Sequence, residues 1–186
     1  MANKDAAFGL KAIGKVGQNR DNQGLSEYSI AASATAIYQN DPVEMLATGT
    51  IGVAAATDVL LGSLNGVFYT DAANQKPTFA NHLAGSNTAT DIVGFVSDDP
   101  YERFEVQSAG TVAAADVGLC ADISYAAGAT PNYVSKTEIS GTMANTTAQL
   151  KIIGLSKDIE NNDPGAANGN VVVIINEHFL KQTAGI

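Results

Sequence analysis

The sequence predicts a mostly-β fold, a β-barrel or β-sandwich preceded by an extended N-terminal arm. Three observations carry this reading. Windows of about 11 residues with a 3.6-residue apolar period and no Gly or Pro are hard to find. Short apolar or alternating runs instead recur roughly every 10–15 residues with turn residues between them, the rhythm of a sandwich or barrel. Composition agrees: charged residues are 16%, Trp is absent and there are 18 glycines. That suits short strands and tight turns better than salt-bridged helices.

The strands follow in chain order. LSEYSIAA (25–32) is a first strand. Residues 34–49 read as strand, turn at Asn40-Asp41-Pro42, strand, because proline fixes its own φ and moves the preceding residue away from helix. TIGVAAAT (50–57) follows Gly49. LLGSLNGVFYTD (60–71) holds Asn65-Gly66 between apolar runs, the pair best suited to a type I′ hairpin turn. TDIVGFVSDDP (90–100) is a short apolar run closed by a turn. In YERFEVQS (101–108), Phe104 and Val106 alternate with Arg103, Glu105 and Gln107, which sends the apolar pair to one sheet face. Further strands are DVGLCADIS (116–124), NYVSKTEIS (132–140) and AQLKIIGLS (148–156). The run Val171 to Ile175 is continuously branched and predicts a central strand buried on both faces. Gly94 and Gly154 read as bulges or bends. The best helical turns are near Ala72–Gln75 and Ala113–Asp116. The segment 157–170 is polar and turn-rich, a mobile surface loop before the core strand.

Charge divides the chain at about residue 24. The leader 1–24 carries Lys4, Lys11, Lys15 and Arg20, four of the 10 basic side chains, but only Asp5 and Asp21 of the 19 acidic ones. Its apolar residues are Phe8, Leu10, Ile13 and Val16, too few for a core and enough to anchor a strap. The expected organisation is an arm over 1–24 and one β-rich domain over 25–186. Phe8, Leu10 and Ile13 are the candidate apolar anchors. Lys4, Lys11, Lys15 and Arg20 would meet an acidic surface. Deleting the arm should leave the body folded.

Net charge is −9 and the pI about 4.4, which disfavours binding of bare phosphate backbones and so of nucleic acid. Cys120 is the lone cysteine, so no intrachain disulfide forms, and its apolar setting reads as a small buried hydrophobe. No run approaches the roughly 20 apolar residues that span a bilayer, and the opening has no signal-peptide character. A soluble protein with no membrane partner, made and used inside a cell, is the expectation.

Chemistry is sparse. His82 and His178 are the only histidines, and neither sits in a signature with Cys120. Zinc-ligand spacing and phosphate-cradling glycine loops are missing. Asp98, Asp99 and Glu102 cluster at a turn, where an acid pair of glycosidase type is conceivable. The loop Asp158–Asp163 is oxygen-rich, but position twelve from Asp158 is Gly169 where a calcium loop needs a bidentate Glu. The reading is therefore no catalytic residue, no cofactor and no metal, in a protein that is not an enzyme.

The opening MANKDAAFGLKAIGKVG resembles the start of a group of structural proteins from tailed phages of marine and cyanobacterial hosts. IYQNDPV (37–43), GVFYTD (66–71), IVGFVSDDPYERFEVQ (92–107) and AADVGLCADI (114–123) extend the resemblance over most of the chain. Lys11-Ala12-Ile13 stands where that group usually has Pro-Val-Arg. The resemblance implies a decoration or cement protein on the outer capsid surface, assembled in the host cytoplasm. The implied partners are the major capsid protein and further copies of the chain, a trimer being favoured. Alternatives are a tail or neck component and a calcium-dependent or glycan-binding module built on Asp158–Asp163.

Overall fold

The computed structural model describes residues 3–17 and 24–182. In chain order the strands are β1 (Lys11–Lys15), β2 (Ser26–Ser29), β3 (Pro42–Met45), β4 (Ile51–Val53), β5 (Leu60–Thr70), β6 (Pro77–Ala80) and β7 (Val93–Ser97). They continue with β8 (Glu102–Gln107), β9 (Cys120–Ala121), β10 (Ile123–Ser124), β11 (Glu138–Ile139), β12 (Leu150–Leu155) and β13 (Asn170–Ile175). One sheet has the order β1-β8-β13-β12-β9, and the other β2-β7-β5-β3-β4 with β6 also paired to β5. All strand pairings are antiparallel, and β10 with β11 forms a separate small ladder. Both sheets are open, so of the two predicted architectures the molecule takes the sandwich and not the closed barrel.

The core follows the pattern of the strands. Val171, Val173 and Ile175 on the central strand β13 are buried with Phe104, Val106, Leu150 and Ile152. A second cluster joins Ile37, Val43, Leu61, Leu64, Val67 and Val96. Ala54 and Leu60, at the second sheet, contribute to the first cluster.

Several local expectations are corrected. Asn65-Gly66 is no hairpin turn: β5 runs through it with a bulge between Leu64 and Gly66, because β7 pairs along both halves. The hairpin turn comes later, between Thr70 and Pro77, where β6 returns along β5. Gly154 does lie at a bulge against β13. Gly94 is regularly paired; it is small because Ile30 and Ile51 methyls fill the space where its Cβ would stand. Cys120 is half-buried rather than interior. A 3-10 turn occupies Ala114–Asp116, while 72–74 form a plain turn.

The described part of the leader, residues 3–17, is extended and lies along the body of its own chain. Leu10 is fully buried in the first core cluster, and β1 is the edge strand of the first sheet, paired with β8. The sequence expectation that the leader stands apart from an independently complete core is corrected on this point. The physical reason is that one well-placed leucine, with its main chain paired, completes a core that 25–186 leaves open.

Candidate functional site: the leader clasp and its outward ridge

Carboxamide side chains hold the leader by its main chain. The Lys4 N–H donates to Asn161 Oδ1 at 2.8 Å, and Asn161 Nδ2 donates to the Lys4 carbonyl at 2.9 Å. Gln107 Nε2 donates to the same carbonyl at 2.9 Å, and its Oε1 accepts the Ala6 N–H at 2.9 Å. Asn3 works in the opposite direction: its Nδ2 donates to the Ala167 carbonyl at 3.0 Å and its Oδ1 accepts from the Asp163 N–H at 3.1 Å. An amide side chain offers a donor and an acceptor in one plane, the same pair a peptide unit presents, so these residues act as short pieces of strand. Asn161 and Gln107 are themselves buried, and Asn161 Nδ2 also contacts Asn170 Oδ1 at 3.2 Å. The 157–170 loop is thus fastened to the leader rather than free.

The next stretch enters the body. Asn40 Nδ2 donates to the Phe8 carbonyl at 3.0 Å, and the Leu10 N–H donates to the Asn40 carbonyl at 2.9 Å. The Gly9 N–H donates to the Thr137 carbonyl at 3.2 Å, and Ser63 Oγ donates to the Leu10 carbonyl at 2.6 Å. Gly9 has φ +74°, and a Cβ there would collide with the Asn40 carbonyl and the Ser135 side chain. Only glycine passes this point without strain.

Beyond Leu10 the chain becomes β1, whose Gly14 N–H donates to buried Glu102 at 3.2 Å. Lys15 pairs with Asp99 at 2.8 Å, which holds the Asp99 carboxyl below the usual carboxylate range. Burial pushes Glu102 up, opposed by that Gly14 bond.

The candidate contact residues therefore divide. Lys4 and Lys11 have exposed side chains, Ile13 is 38% exposed and Val16, an unselected neighbour, is 50% exposed. Phe8 is half-buried, and Lys15 is engaged with Asp99. Leu10 as an external anchor is corrected: it is a core residue of its own domain. Arg20 lies outside the described residues. The clasp residues Asn161, Gln107, Asn40 and Ser63 escaped the sequence reading, since their partners lie between 32 and 157 positions away and leave no local pattern.

The acidic clusters have structural employment. Asp98 accepts from Ser26 Oγ at 2.9 Å and from Tyr28 Oη at 2.6 Å; burial, and then the bond to Asp98, lifts the Tyr28 phenol to about 12. Asp158 Oδ1 accepts the Glu160 N–H at 3.1 Å. Among the described residues no group of three or more His, Cys, Asp or Glu is arranged to hold a metal ion. Neither is any described helix long and apolar enough to cross a membrane. His82 stacks on Tyr133 at 3.9 Å between centroids, with Tyr38 beyond it at 6.2 Å.

Comparison with family models, curated proteins and solved structures returned no match.

Proposed function

We propose that this chain is a structural virion protein that binds the outside of a phage capsid and stabilises it, and that the docked leader supplies its attachment ridge. The observation that carries the reading is the clasp. It binds the leader's main chain, so Lys4, Lys11, Ile13 and Val16 are left outward on a segment already held in place. A preordered ridge loses less conformational freedom on binding than a loose arm does, so a small contact suffices. Its basic side chains oppose the sign of the acidic body and would meet an acidic shell. Repetition over many copies raises avidity further. The resemblance of the opening and of 92–107 to phage structural proteins supplies the choice of shell.

The major capsid protein is the partner this reading requires, with neighbouring copies meeting at a local symmetry axis. The test is location and stoichiometry in purified virions. Hundreds of copies on the head surface agree with decoration. A handful to some dozens of copies at the neck or tail would replace it with the tail-component reading.

A further inference from the structure

We infer that the outer face of β5, β6 and β7 is a binding platform for a neutral pyranose oligosaccharide. Phe79 on β6 is 75% exposed, yet its ring is fixed by its neighbours. It packs on Phe68 with centroids 4.7 Å apart and lies within 18° of parallel to Phe95 at 6.2 Å. Beside these rings is an open, shallow cleft of about 410 Å³, within the roughly 300–1,000 Å³ of small-molecule sites. Gln39, Asn65 and Asn81 border it, and none of its lining side chains among the described residues is charged.

The amides are arranged unequally. Asn81 Nδ2 donates to the Asn132 carbonyl at 3.0 Å and to Gln39 Oε1 at 3.3 Å. That bond orients the Gln39 amide and leaves its Nε2 as a donor with no partner among the described residues. The exposed Asn65 amide has neither donor nor acceptor engaged there. An aromatic face suits the C–H face of a pyranose ring, and carboxamides offer the paired donor and acceptor that ring hydroxyls need. Among the described residues an ionic ligand finds no counter-charge in the cleft. The inference is independent of how the protein attaches to a shell.

The test is a backbone-amide NMR titration of the full chain with cellohexaose, maltohexaose, chitohexaose and mannohexaose. Binding of at least one should shift resonances at 65–67, 79–81 and 95. F79A should weaken it roughly tenfold and F79W restore or tighten it. Gln39→Ala should weaken it as well, with the melting temperature of each variant reporting the fold. No shift with any of the four up to about 10 mM overturns the inference, as do shifts confined to another face. A wild-type dimer that F79A converts to monomer, with no sugar effect, would make the platform a contact between copies and overturn it equally.

Discussion

Asn161 and Lys4 exchange two hydrogen bonds across 157 positions of sequence, each supplying one donor and one acceptor to the other. One buried side chain thereby satisfies both main-chain groups of a leader residue. Replacing it leaves the Lys4 N–H without its acceptor and removes one of the donors to the Lys4 carbonyl and to Asn170 Oδ1. Asn161→Ala should cost about 1–3 kcal/mol of stability, the penalty for orphaned polar groups. Hydrogen exchange should accelerate at residues 4–6 while β13 stays protected. Unchanged exchange at those residues would show that the clasp does not hold the leader.

Leu10 carries the hydrophobic half of the attachment. Leu10→Ala should destabilise by about 2–5 kcal/mol, measured by denaturant unfolding, because the site is fully enclosed. Lys11→Ala, one residue on and exposed, should stay within about 0.5 kcal/mol of wild type. Deletion of the leader should therefore lower the stability of the body itself. A truncated body as stable as the full chain would refute the core assignment of Leu10.

Gly9→Ala combines a left-handed backbone with a collision against Asn40 and Ser135. The left-handed conformation alone costs about 1 kcal/mol for a residue with a Cβ, so the loss should exceed that figure. A melting temperature equal to wild type would contradict the packing described here.

Asp41 and His178 link stability to pH with opposite signs. Burial raises Asp41 to about 6, against the nearby Ser135 hydroxyl and the hydrogen bond from the Tyr38 N–H. Its contribution is full below the unfolded value near 3.9 and is lost as pH rises through about 6. Burial, with a lesser contribution from Lys181, lowers His178 to about 4. That contribution is full above the unfolded value near 6.5 and is lost as pH falls through about 4. Between these limits the two slopes oppose each other. Asp41→Asn removes the falling one, so stability should rise more steeply from pH 4.5 to 7.5 than in wild type, by about 2 kcal/mol over the interval. Parallel profiles for the two proteins would remove Asp41 from the account.

What the sequence made legible is what local pattern encodes. The aliphatic run at 171–175 announced the central strand β13, and the alternation at 103–107 announced β8. Asn40-Asp41-Pro42 announced a turn, with Asn40 at φ 65° and the Asp41 carboxylate accepting from the Tyr38 N–H at 2.7 Å. Asn65-Gly66 misled because pairing with β7 outweighs the local preference of the dipeptide. PTFA (77–80) is too short and polar to signal β6. The leader's charge contrast was visible, but its docking depends on amides more than 100 residues away. Leu10 has no periodic neighbours to mark it as core.

The docked leader is proposed as the ridge by which this protein binds a capsid. Cosedimentation of wild type and of the K4E/K11E/I13E variant with capsid shells assembled without the protein tests this, the fold of each checked by its melting temperature. All three side chains are exposed, so the variant should remain folded. Wild type should bind saturably, and the variant should lose at least about tenfold in affinity. Equal binding by a folded variant, or no binding by wild type, would contradict it.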